Sequence, residues 1–375
     1  MPGLYIISTQ PRAGKTLLAC SLGVILRKRG YRTGYMKPLG AVLKRVEAGN
    51  GDAYALTVQE VLGQDALPED LTPVMIPSWT SLPATRDHGH AGRNLEAVKK
   101  AYSGIAEGKD LMLINGTQAA PFSGSFAGLD TLSLTRELKL HVLLVERYDN
   151  GINYDSLIFM RRLLGEKMAG VVINDIPEAD RNAVAGVLLP FLEQNGIPTL
   201  GMIAHDQRLN SIRSLDLAYA LEGRIVAGNN NSSNLVEGFI ICTMQMERFI
   251  VNLRANPRRA VIVGGDRADL QLAALQARAP CLILTGNIGP HELIRAKAEE
   301  IGIPLIVSKD DGYHIARRMS RIMSGQKFQD LCQIRAGVSL VEKSLDAEKL
   351  IRACFGPAMP TPSAPPSRRE SRDNA

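Results

Sequence analysis

The chain has 375 residues, 45% of them hydrophobic and 22% charged, with 44 Lys and Arg against 38 Asp and Glu for a net charge of +6. At roughly 150 residues per domain this length suggests two or three domains, and the hydrophobic share rules out disorder for the bulk of the chain. The charge is modest and not blocked, and aromatics make up 5%. That excludes the basic stripe of a nucleic-acid binder and the stacking platforms of a single-strand binder. The five cysteines, Cys20, Cys242, Cys281, Cys332 and Cys354, are scattered. They show neither zinc spacing nor a disulfide framework, and read as small buried hydrophobes in a reducing compartment. No apolar run reaches the roughly 18 residues of a membrane span, and Met1-Pro2-Gly3-Leu4-Tyr5 lacks the basic start of a signal peptide. The expectation is a cytoplasmic protein with no membrane and no nucleic-acid partner.

Short apolar runs recur in chain order at Leu4 to Thr9, Gly34 to Pro38, Leu111 to Ile114, His141 to Val145, Ala169 to Ile173 and Pro198 to Ile203. Stretches of helical period such as Leu17 to Arg29 and Arg181 to Gln194 lie between them. Fully apolar strands alternating with helices indicate a mostly parallel sheet covered on both faces. After a junction near Leu209 to Leu217, a second alternation runs through Phe239 to Thr243, Ala260 to Val263, Cys281 to Thr285 and Pro304 to Val307. The polar run Gly228-Asn229-Asn230-Asn231-Ser232-Ser233 reads as a loop inside this second unit. The reading is therefore an α/β protein. A P-loop-type domain spans 1–210 and a smaller α/β domain 215–325. A C-terminal helical extension follows over 326–355, and a proline-rich disordered tail over 356–375.

Thr9-Gln10-Pro11-Arg12-Ala13-Gly14-Lys15-Thr16 follows the first strand and opens the first helix. A phosphate loop needs backbone N–H groups free to face phosphate oxygens, a helix N-terminus and a lysine that reaches the β- and γ-phosphates. Gly14, Lys15 and Thr16 supply that end, with the Thr16 hydroxyl placed for Mg²⁺. Thr9 stands where the usual pattern has its first glycine.

With Gly34-Tyr35-Met36-Lys37-Pro38-Leu39-Gly40, Asp52-Ala53, Asp110 to Gly116, Gly170 to Asn174 and Gly196 to Ile203, this loop resembles dethiobiotin synthetase and its relatives, among them the N-terminal part of long phosphotransacetylases. The resemblance covers about residues 1–210 and implies ATP and Mg²⁺ as cofactors. It implies that Lys37 lies beside the γ-phosphate and the reacting group; otherwise it is a solvated strand-end lysine. It implies that Asp52 binds Mg²⁺, whereas its position before an apolar-periodic stretch also suits a helix N-cap. It implies that Asn174 contacts the adenine edge; the alternative is a turn residue at a strand end. Relatives of this domain often dimerise, which implies a homo-oligomer. Three departures argue against synthetase chemistry while leaving nucleotide binding in place. Asn115 stands where the synthetase has a metal-holding glutamate. The following run is Gly116-Thr117-Gln118-Ala119-Ala120-Pro121, and no hydroxyl follows Lys37-Pro38.

Val261-Ile262-Val263-Gly264-Gly265-Asp266-Arg267-Ala268-Asp269, with Cys281 to Asn287 and Glu300 to Leu305, resembles the DRTGG domain. In phosphotransacetylases that domain lies between the P-loop-like and catalytic domains. Gly265, Asp266, Arg267, Thr285 and Gly286 share one sheet edge, where open α/β sheets bind ligands, and would take a small anionic effector. The plainer alternative makes Asp266 a helix cap and Arg267 half of a salt bridge between domains or subunits. His88 and His90 lie in a polar loop without an evident third metal ligand. The whole reads as a nucleotide-binding regulatory or sensor protein without acetyl-transfer activity of its own. The alternatives are an ATP-dependent carboxylase or ligase of the synthetase type, and a scaffold whose loop is a relic.

Overall fold

A computed structural model describes residues 2–76, 90–117, 119–148, 154–206, 209, 211–228, 234–242, 246–325 and 331–355. The tail expected over 356–375, the polar run 229–233, Gln118 and His88 lie outside the described residues. The chain divides into two compact units, the second spanning Asp206–Lys327.

The first unit is built on a six-stranded sheet whose spatial order is Thr199–Ala204, Met168–Ile176, His141–Arg147, Gly3–Ile7, Leu111–Asn115, Thr33–Met36. Every pairing is parallel. These strands are the six apolar runs of the sequence, and the central one is buried along its whole length. A strand covered on both faces has no polar side to show, which is why alternation is absent. Full burial of each such Leu or Ile contributes about 1.5–3 kcal/mol, and Leu4, Ile6, Leu113, Ile114, Leu143 and Leu144 are all 0% exposed.

The helical stretch expected over 326–355 forms two helices, Leu331–Ser344 and Ala347–Phe355, and these belong to the first unit. Ile334, Val338 and Val341 are buried. The first of the two helices packs on the helix Lys15–Lys28 that leaves the phosphate loop. The Asp346 N–H donates to the Leu200 carbonyl at 2.8 Å, and Lys28 pairs with Glu342 at 2.8 Å. The first unit is thus closed by chain from both sides of the second.

The second unit has a five-stranded sheet in the order Arg224–Ala227, Leu305–Val307, Leu282–Thr285, Arg259–Gly264, Gly238–Ile241. The first of these pairs antiparallel and the rest parallel. That edge strand carries no long apolar run, being exposed at Arg224 and half-buried at Ile225 and Val226, so periodicity did not announce it.

Candidate functional site

The central strand Gly3–Ile7 runs into the loop Ser8 to Gly14, and the helix Lys15–Lys28 starts directly after it. Gly14 is the N-cap, with φ 107°, and no side chain caps the helix. The first backbone N–H groups of the helix therefore have no intrahelical partner and face the loop, the arrangement that takes an anion. Glycine is required at this position on two counts. The left-handed backbone strains any other residue, and a Cβ would run into the Asn174 side-chain amide. Asn174 donates from Nδ2 to the Ala13 carbonyl at 2.8 Å, so its amide ties down the loop.

Lys15 donates to the Ser8 hydroxyl at 2.6 Å. Burial pushes its ammonium down to about 8; Glu146 opposes that fall and Lys37 adds to it. A cation so little hydrated has strong incentive to meet an anion. Thr16 lies 3.5 Å from the Asn115 amide nitrogen, which also reaches the Tyr35 hydroxyl at 3.4 Å. Asn115 ends the strand Leu111–Asn115 and is 1% exposed. Its Oδ1 is buried with no hydrogen-bond partner among the described residues, and a buried unmet acceptor costs about 1–3 kcal/mol.

Lys37 and Asp52 are brought together, at 2.8 Å, with both side chains buried. Asp52 is the N-cap of the helix Ala53–Leu62, accepting from the Tyr54 and Ala55 N–H groups, and it also accepts from those of Ala41 and Val42. Burial works against its charge, but Lys37 and the Val42 and Ala41 N–H groups outweigh it and hold the carboxyl below the usual range. Lys37 lies 5.3 Å from the centre of the Tyr54 ring, adding a cation–π contact. Asp52 here is engaged as a cap and as the counter-ion of Lys37.

One residue of this site escaped the sequence reading. Glu146, at the end of the strand His141–Arg147, is 1% exposed. It accepts from the Thr9 N–H at 2.6 Å and from the Thr9 hydroxyl at 3.0 Å. Burial pushes its carboxyl up to about 7, against the two Thr9 hydrogen bonds and Lys15. A glutamate directly after an all-apolar run was visible in the sequence. That this strand lies beside the central one was not.

A small cleft opens next to Asn115, lined by Tyr5, Pro38, Leu39, Thr117, Ser123 and Leu129 among others. Thr117 donates its hydroxyl to the Leu39 carbonyl, tying the post-strand run to the segment after Lys37.

In the second unit the structure brings Gly265, Thr285 and Gly286 to one sheet edge: Gly264 pairs with Thr285, and the Gly265 N–H donates to the Thr285 carbonyl at 3.3 Å. The expected cap is corrected. The helix Ala268–Gln276 has Arg267 at its N-cap, not Asp266, and no side chain caps it. The Arg267 N–H closes a turn on the Gly264 carbonyl at 3.1 Å, so the helix begins after it, and the Gln271 amide satisfies the turn, donating to the Gly264 and Gly265 carbonyls. Arg267 pairs with Asp269 at 2.9 Å, two residues on in its own turn. Among the described residues no group of three or more His, Cys, Asp or Glu is placed to hold a metal, and no helix is long and apolar enough to cross a membrane.

The family model described as AAA domain matches residues 2–213, and that described as DRTGG domain matches residues 216–322. A phosphate acetyltransferase of Synechocystis sp. is 21% identical, with 93% of this chain covered and 51% of the relative. The chain thus spans about half the length of that relative. An ATP-dependent dethiobiotin synthetase BioD of Bacillus cereus is 26% identical over 54% of this chain and 83% of its own length. Among solved structures, the CBS and DRTGG domains of the regulatory region of Clostridium perfringens pyrophosphatase, complexed with diadenosine tetraphosphate, align at 21% identity. That match has a TM-score of 0.26 and covers 31% of this chain and 48% of that one.

Proposed function

Since the chain belongs to the AAA domain family through residues 2–213 and carries a DRTGG domain behind it, we propose that it binds ATP with Mg²⁺ in the first unit and uses the bound state to regulate or report. Slow turnover or none accompanies binding. The observation that carries this reading is the site around Asn115. Lys15 and the helix N-terminus would neutralise a phosphate chain, and Lys37 lies near enough to act on Lys15. The position that ends the strand beside the loop, however, holds a neutral amide.

The residues fit a magnesium ion held through neutral oxygens. Thr16 Oγ1 would be the protein's ligand to the ion, with the Asn115 amide nitrogen against it, and phosphate oxygens and water would supply the rest, as Mg²⁺ prefers. When bound, the ion neutralises phosphate charge. The other work falls to this chain's own groups. Gly14 leaves room for phosphate at the helix start, and Asn174 fixes the loop through Ala13. Lys15 exchanges the Ser8 hydroxyl for phosphate oxygen. Lys37 is already paired with Asp52, so it would add charge only as phosphate draws it from that partner. Phosphoryl transfer depends on alignment and charge stabilisation more than binding does, so an amide at position 115 lowers rate before it lowers affinity.

The likeness of the first unit to dethiobiotin synthetase favours a second reading, a ligase of that type. A titration with ATP and Mg²⁺ followed by a hydrolysis assay separates the two. Binding with turnover far below about 1 s⁻¹ supports the regulatory reading. Turnover at that rate or faster overturns it in favour of the ligase.

A further inference from the structure

Glu146 has a place and a cost that the nucleotide-binding reading leaves unexplained. It belongs to the strand whose Leu144 pairs with Ile7 of the central strand, just before the loop, and Ile173 faces it across the next strand. Both carboxylate oxygens are spent on a single residue, Thr9. The charged group acting on it is Lys15, on which Lys37 acts in turn. Tethering a loop does not require a charge. Asn174 holds Ala13 with a neutral amide, and a glutamine at 146 could accept from Thr9 without the cost of burying an anion.

Resting on the nucleotide-binding reading, we propose that Glu146 is a resident anion of the phosphate loop: in the ligand-free protein it supplies negative charge beside Lys15, and it opposes arriving phosphates, so that it sets how tightly the loop holds them. Glu146 acts on Lys15 through its charge, and phosphate would meet the same lysine. Because Thr9 remains its hydrogen-bond partner, the carboxylate stays near the phosphates and weakens them by like-charge repulsion. Burial pushes Glu146 up to about 7, so the opposition is full above that pH and fades below it, where the carboxyl becomes neutral.

The test titrates ADP and inorganic pyrophosphate, in Mg²⁺-free buffer, into wild type, Glu146→Gln and Glu146→Leu at one pH below and one above about 7, with thermal melts to verify folding. Both variants should bind both probes about 10-fold more tightly than wild type at the higher pH, the scale of one unit charge removed from a partly buried site. The gap should close at the lower pH. If Glu146→Leu fails to fold, Glu146→Gln at the two pH values decides alone. Unchanged affinity in Glu146→Gln with weaker binding in Glu146→Leu would reduce Glu146 to a tether for Thr9 and overturn the proposal. Weaker binding in both, or a gap of equal size at both pH values, would overturn it too. Pyrophosphate showing the expected pattern while ADP does not bind would uphold the charge role and sink the nucleotide reading. Neither probe binding any of the three proteins would sink both.

Discussion

The turn after Gly3–Ile7 and the turn after Arg259–Gly264 hold equivalent places in their units, each joining a buried parallel strand to a helix at the carboxyl edge of a sheet. They treat charge in opposite ways. At the first, Lys37, Asp52 and Glu146 are nearly or fully buried, and burial dominates the titration of Lys15. At the second, the side chains of Arg267 and Asp269 are 51% and 46% exposed and answer each other across two residues. A buried charge costs several kcal/mol unless it is partnered, whereas an exposed pair is screened and contributes little. The first edge therefore holds its electrostatics in a fixed arrangement before any ligand arrives. The second offers backbone, glycines and one accessible guanidinium.

The largest effect that would break this contrast is removal of Asp52. Asp52→Ala leaves Lys37 buried without its counter-ion and frees the N-cap of Ala53–Leu62. We expect a loss of about 3–5 kcal/mol in urea unfolding; a loss under about 1 kcal/mol would mean that the pair is effectively solvated. Glu146 should produce the next effect, visible in the pH dependence of stability. Its folded carboxyl is raised to about 7 from an ordinary 4.5, so between those values the folded state holds a proton that the unfolded chain has lost. Stability falls as pH climbs through that window. Glu146→Gln should remove this slope and, above pH 7, gain about 3 kcal/mol; parallel stability curves for the two proteins would show that the carboxylate is not buried in solution. Smaller again is Asn115→Glu, which restores a charge beside Thr16. It should lower the Mg²⁺ concentration needed for half-maximal ATP binding several-fold, and an unchanged Mg²⁺ requirement would place the ion elsewhere. Smallest is Arg267→Ala, for which the urea midpoint should not move measurably. A clear shift would mean that the second edge is organised by charge after all.

The parallel strands of both sheets are legible in the sequence, because strands covered on both faces must be apolar throughout and stand out as runs; the half-exposed edge strand Arg224–Ala227 is not. The sequence also disclosed Gly14, Lys15 and Thr16, whose order along the chain is their order in the site. What stayed hidden depended on which strands are neighbours. Glu146 matters because its strand flanks Gly3–Ile7, and no local pattern states that. Asp52 and Lys37 were both singled out, yet their mutual pairing comes from the hairpin Leu43–Val46 with Gly49–Asp52, which returns Asp52 to Ala41 and Val42. The helices Leu331–Ser344 and Ala347–Phe355 were legible as helices but not as part of the first unit, since their apolar faces do not specify what they cover.

The most direct measurement is calorimetric titration of ATP with Mg²⁺ into wild type and Lys15→Ala in parallel. Lys15 is half-buried and opens the helix whose first N–H groups would meet phosphate. Losing a charge-assisted contact of about 1.5–3 kcal/mol should weaken binding roughly 10- to 150-fold. Equal affinity in the two proteins, or no binding by wild type, would contradict the assignment of the loop as a nucleotide site.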